Sequence, residues 1–154
     1  MTPRWTAFFV SGGFLLAEAC GDATRPDALG GFELNHAKWL DKGPASYAYE
    51  FRRSCFCLPA AVEPVRITVA NGQVQGVVSV TTGDPIAPTD VDRFFRITID
   101  SLFGRLAAAI REGADDIDVT YDAVLGYPRQ IYIDYDFGFA DDELGLSASV
   151  VVSP

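Results

Sequence analysis

Two groups of side chains in this chain have types and spacing that could do chemistry. The first is Cys55-Phe56-Cys57. On a flat strand, residues i and i+2 share a face with Cα atoms about 6.5–7 Å apart, near the upper limit for a disulfide. A bridge here therefore needs a bulge or a local kink. The ring would be very small, and a strained bond is easier to reduce than an ordinary structural one. Three readings stand together: a structural bridge that fastens a strand end before Leu58-Pro59, a redox-active or thiol-exchange pair, or a remainder of free buried thiols and soft-metal binding. Zinc asks for four ligands, and no histidine lies near this pair.

The second group is acidic: Asp134, Asp136, Asp141, Asp142 and Glu143 around Gly138. Alternating carboxylates beside a glycine turn resemble the opening of a calcium loop, where six to eight oxygens surround the ion. The pattern is incomplete. With Asp134 as the first position, an EF-hand wants a side-chain oxygen at the fifth and a glutamate at the twelfth, and this chain has Gly138 and Gly145 there. Solvated turn residues are the simpler reading, and the same holds for Asp115, Asp116 and Asp118. Nucleophilic catalysis finds no support, because His36 is the only histidine and no Gly-x-Ser-x-Gly elbow occurs. His36 reads as a packed or exposed residue. Carboxylates are plentiful, but abundance alone assigns none of them to acid–base work, and no glycine-rich phosphate loop is present. No catalytic residue and no cofactor is expected.

The start of the chain carries an address. Arg4, an apolar run from Trp5 to Leu16 and Ala17-Glu18-Ala19 before Cys20 have the layout of a secretory signal peptide, shorter than the roughly 20 residues that span a bilayer. The expected organisation is a signal peptide over 1–19, a flexible tether over 20–31 and one domain over 32–154. Leu16-Ala17-Glu18-Ala19-Cys20 is similar to a bacterial lipobox, though Leu16 lies four residues before the cysteine and Glu18 fits poorly. Lipidation of Cys20 would leave Cys55 and Cys57 as a pair among the three cysteines. Two acyl chains, at about 0.8 kcal/mol per buried CH2, hold where one is marginal. The alternative is a freely secreted protein. Either way the expected location is the bacterial cell envelope or beyond it.

Charge narrows the partners. The chain carries 12 Lys+Arg against 21 Asp+Glu, a net charge of −9, and removing Arg4 and Glu18 leaves that balance unchanged. Phosphate affinity rests on Lys and Arg, so nucleic acid is not an expected partner. Anionic headgroups would also be repelled, so membrane attachment is expected only through the N-terminal lipid.

These groups must be held by a scaffold, and the hydrophobic pattern outlines one. Gly21 to Gly31 is small and polar with Pro26, hence the tether. A short helix follows, with Asn35 as N-cap, Ala37, Trp39 and Leu40 apolar and Gly43-Pro44 as the stop. Ser46 to Cys57 alternates as a strand that places Tyr47, Tyr49, Phe51, Cys55 and Cys57 on one face with Arg53 among them. Val65 to Ala70 and Val74 to Thr81 form a hairpin through Asn71-Gly72, whose residues tolerate positive φ. A long loop spans Thr82 to Arg96. Ile99, Leu102, Phe103, Leu106 and Ile110 then make one helical stripe, capped by Thr98 and ended by Gly113. Strands follow near Ile117 to Asp122, Arg129 to Asp134 and Leu144 to Val152, the last edge-like or buried on both sides.

Both halves run helix then three antiparallel strands. Pro64-x-x-Ile67-x-Val69 and Pro128-x-x-Ile131-x-Ile133 repeat one motif, which suggests a duplicated α-β-β-β unit. The expected fold is α+β, a six-stranded antiparallel sheet with two helices on one face.

Several ordered pieces carry a family likeness: Tyr47-x-Tyr49, Arg53-x-Cys55-Phe56-Cys57, Val69-x-Asn71-Gly72-x-Val74, Thr98-Ile99-Asp100-x-Leu102-Phe103, Tyr121-Asp122, Gly126-Tyr127-Pro128, Ile133-Asp134 and Asp141-Asp142-Glu143. In this order they resemble the bacterial secreted or lipoprotein domain of unknown function DUF6174, over roughly Trp39 to Val152. The resemblance implies an envelope-located domain and supplies no catalytic residue. The expected role is a binding or scaffolding module, using a sheet surface or the Thr82 to Arg96 loop, for another envelope protein or a cell-wall component. A redox accessory built on Cys55 and Cys57 and a calcium-dependent module are the alternatives.

Overall fold

The computed structural model describes residues 24–139 and 141–151. The signal-peptide reading of 1–19 and the lipidation reading of Cys20 lie outside the described residues. Six strands form one antiparallel sheet in the order β3-β2-β1-β6-β5-β4. They are β1 Ser46–Ser54, β2 Val65–Ala70, β3 Gln73–Ser79, β4 Asp116–Tyr121, β5 Pro128–Asp134 and β6 Leu144–Val151. Helix α1 (Thr24–Lys42) and helix α3 (Ile99–Glu112) share one buried core with one face of that sheet. The α+β expectation holds. No helix among the described residues is long and apolar enough to cross a membrane.

Alternation decides which face is covered. Tyr47, Tyr49 and Phe51 of β1, Val65, Ile67 and Val69 of β2, Ile131 and Ile133 of β5, and Leu146 and Ala148 of β6 are all buried. They meet Ile99, Leu102, Phe103, Leu106 and Ala109 of α3 and Trp39 of α1. Thr98 and Ser101 form a reciprocal cap at the start of α3, and Gly113 ends it in the left-handed region with φ 78°. Two core tyrosines fasten the approach to this helix. Tyr49 donates its hydroxyl to the Ile97 carbonyl at 2.7 Å, and the Ile99 N–H donates to the Tyr47 hydroxyl at 3.0 Å.

Four elements differ from the sequence expectation. Helix α1 starts at Thr24, so residues 24–31 are helix and not tether. Pro26 belongs in the first turn, where its missing N–H has no partner to lose. Asn35 is consequently interior to the helix, its amide donating to the Gly31 carbonyl at 2.8 Å, and caps nothing. Strand β1 ends at Ser54, short of the cysteines. The Thr82 to Arg96 segment carries a one-turn helix α2 (Pro88–Asp90) running into a π-type turn (Val91–Phe95), with Phe95 fully buried. Ile86 N–H bonds the Val77 carbonyl at 3.0 Å, so this segment covers the outer edge of β3. Finally, β6 is central between β1 and β5, with only one face buried.

The halves do share the order helix, then three strands. In the sheet, however, the first strand of one half pairs with the last of the other, β1 with β6. A twofold axis normal to the sheet, which would keep both helices on one face, would pair β1 with β4. The arrangement is therefore not two copies related by such an axis.

The turn between β4 and β5 locks the sheet to α1. Gly126 has φ 81°, and a Cβ there would collide with the Asn35 carbonyl oxygen of α1. Only glycine fits both the conformation and the approach.

Candidate functional site

With both helices on one side, the opposite face of the sheet is open. Its side chains come from the alternate strand positions and align in rungs. Arg52, Ser147, Gln130 and Thr120 lie opposite one another across β1, β6, β5 and β4. The next rung is Ser54, Gly145, Tyr132 and Asp118. Gly145 has no side chain, and a cleft of about 510 Å³ opens here, lined by Arg52, Ser54, Asp118, Gln130, Tyr132 and Ser147 among others. A second hollow of about 340 Å³ continues past Glu50, Arg129 and Ser149.

This face is polar and largely unengaged. Glu50 and Arg66 pair at 3.0 Å across β1 and β2. Among the described residues, Arg52, Asp118, Thr120, Gln130, Tyr132 and Ser147 spend no side-chain hydrogen bond on the protein itself, so their donors and acceptors are free for a ligand. Tyr132 is a hydrogen-bond donor at neutral pH even at a phenol's ordinary pKa, and burial, then the nearby Asp134 carboxylate, push that pKa higher still. Apart from Asp118, which was read as a solvated turn residue, these residues escaped the sequence reading. Their signal was the polar half of each strand's alternation, which is ordinarily read as mere solvent exposure.

Cys55 and Cys57 are joined by a disulfide with a Cα–Cα distance of 5.2 Å. That is shorter than a flat strand allows, and the reason is the end of β1 at Ser54. Past it the chain turns, and the Cys57 N–H bonds the Cys55 carbonyl at 2.9 Å. Free thiols and soft-metal ligation are thereby set aside in this bonded form. The bond displays Phe56, which is 85% exposed. Arg53, the interruption noticed in the alternation, sits just inside the bridge. Its guanidinium donates to the Phe94 carbonyl at 3.1 Å and lies 5.6 Å from the Phe51 ring centre. Burial, and then the charge of Arg105, lower its pKa.

The acidic candidates share one end of the sheet without building a metal site. Among the described residues no three His, Cys, Asp or Glu side chains are arranged to hold a metal ion. Asp136 is a turn residue, its carboxylate accepting the Gly138 N–H at 2.8 Å, and Asp115 accepts the Phe137 N–H at 2.9 Å. Asp134 is only 8% exposed, at the end of β5, and it and Asp142 each keep one buried carboxylate oxygen without a partner. Burial, then the Asp142 and Glu143 charges, raise the Asp134 pKa. Asp141 and Glu143 remain exposed. His36 packs with its ring 4.5 Å from that of Phe103 and 5.4 Å from that of Phe32, as a structural residue.

Compared with known families, residues 31–153 match a family of unknown function, DUF6174. The match begins in α1, earlier than the resemblance read from the sequence. No curated protein and no solved structure gives a match.

Proposed function

The chain belongs to this family of unknown function, and from that premise we propose that it is an exported, non-enzymatic binding module that engages an envelope protein or a cell-wall component. The observation that carries the reading is the uncovered sheet face. A hollow of about 510 Å³ bordered by unengaged Arg52, Gln130, Tyr132 and Ser147 offers both donors and acceptors to a ligand. Ligand sites are concave, with a few convergent polar groups. The signal-peptide layout of residues 1–19 and the lipobox-like Cys20 support export and a lipid anchor. Among the described residues, the packed His36 and the carboxylates form no nucleophile–base pair.

The test is photo-cross-linking in isolated envelopes of the cell that makes the protein. A benzophenone amino acid at Tyr132 or at Arg52 is expected to give one discrete adduct that the same label at Arg105, on the helix face, does not. Equal labelling from all three positions would overturn the assignment of the face. A second reading, thiol exchange at Cys55–Cys57, is favoured only by the exposure of Cys57. Thiol titration after mild reductant decides it, because a bond that stays closed and unreactive excludes redox work.

A further inference from the structure

We propose that the sheet end carrying Phe56, Leu58, Phe137 and Phe139 is a docking tip for a protein whose apolar pocket is rimmed by lysine or arginine. This extends the binding-module reading to a second surface, and the two surfaces are probed at separate positions. The two loops that bear these side chains are neighbours. Ser54, at the end of β1, lies opposite Gly145, and Leu144 lies opposite Ile133 near the end of β5. The β1–β2 connection and the β5–β6 connection therefore emerge side by side. Phe56 is 85% exposed, Phe137 71% and Phe139 69%, while every other phenylalanine among the described residues is buried or half-buried. Single exposed apolar residues need no explanation, but a cluster of large ones at one end marks an interaction surface.

Independent restraints hold both backbones so that the rings face water. The Cys55–Cys57 bond and the Cys57 N–H to Cys55 carbonyl bond fix the turn under Phe56. The Phe137 N–H is held by Asp115 at 2.9 Å, the Gly138 N–H by Asp136 at 2.8 Å, and the Phe139 N–H by the Asp136 carbonyl at 3.0 Å. Backbone restraint of this kind lowers the entropy lost on association, and aromatic anchors dominate binding energy.

Charge selects the occupant. Asp136, Asp141, Asp142 and Glu143 belong to the β5–β6 connection that bears Phe137 and Phe139, and Asp115 accepts the Phe137 N–H, whereas Arg53, the basic residue nearest Phe56 in sequence, turns its guanidinium inward to the Phe94 carbonyl. A bilayer with anionic headgroups would be repelled by this rim, whereas a basic-rimmed protein pocket is complementary to it.

A benzophenone amino acid placed at Phe56 and, separately, at Phe137 of the full chain reads this out in the same envelopes, with Leu40 on α1 as the control position. The expected result is one and the same protein partner from positions 56 and 137, joined beside a Lys or Arg residue, with an adduct yield that falls severalfold at about 1 M NaCl, where the screening length is about 3 Å. Lipid adducts, different partners from the two positions, equal labelling from position 40, a salt-insensitive yield or no adduct would each overturn the proposal. Adducts from Tyr132 without adducts from 56 and 137 would sink the tip and leave the sheet face standing; the converse would do the reverse.

Discussion

Two kinds of buried tyrosine hydroxyl occur in this core, and they differ in whether they have a partner. The Tyr49 hydroxyl bonds the Ile97 carbonyl, whereas the Tyr121 hydroxyl is buried with no partner and its ring stacks 6.4 Å from that of Phe103. Burial pushes Tyr121 up to about 12 and raises Tyr49 further. An unpaired buried acceptor costs about 1–3 kcal/mol, so Tyr49→Phe is expected to destabilise by that amount, while Tyr121→Phe is neutral or stabilising. Urea unfolding of the two variants checks the contrast, and equal destabilisation would contradict the assigned partners. Asp134 gives the pH counterpart. Its folded pKa is raised above the usual 3.8, so the native state binds more protons than the unfolded state between 3.8 and the folded value. Stability contributed by the protonated form is present below 3.8 and is lost as pH rises through the folded pKa. Asp134→Asn should therefore raise Tm at pH 7, with the gain vanishing below pH 3.8; a gain of the same size at both pH values would refute the titration.

Among the elements, α3 and the Asn71-Gly72 hairpin were legible because local chemistry and packing agree. The Thr98 cap, the apolar stripe and Gly113 act within one helix, and Asn71 and Gly72 both adopt positive φ, 51° and 72°. The beginning of α1 was not legible, since Pro26 and Gly30-Gly31 read as breakers unless the helix start is already known. The β1 end was half legible. Sequence geometry demanded a kink for the Cys55–Cys57 bond, and the kink is the strand end itself. This bond closes so short a loop that the chain-entropy relation gives about 1.6 kcal/mol, and no buried strand passes through it. The Cys55→Ser/Cys57→Ser double variant is thus expected to keep its fold and lose roughly 3–8 °C in Tm. Circular dichroism melting tests this, and global unfolding at 25 °C would show that the bridge holds more than the turn beneath Phe56.

At the scale of the whole molecule, the open face was hidden from sequence because it depends on which strands become neighbours. Arg52, Ser147, Gln130 and Thr120 come from four strands, and only the β1–β6 pairing brings the two halves of that rung together. The acidic end was visible as composition, but not as a surface beside Phe56. Its charge has a global consequence. The chain carries −9, and the carboxylates at 115, 116, 134, 136 and 141–143 belong to the chain segments at one end of the sheet, where Asp116 lies opposite Asp134. At about 0.01 M ionic strength the screening length is about 30 Å, long enough for these charges to repel across that end, and at about 0.15 M it falls to about 8 Å. Folding concentrates the repulsion, so added salt should relieve the native state more than the unfolded one. The Tm is expected to rise between those two NaCl concentrations, and to rise less in the Asp141→Asn/Asp142→Asn/Glu143→Gln variant. Parallel melts at the two salt levels measure the difference, and an identical salt response in both proteins would place the dominant repulsion elsewhere on the surface.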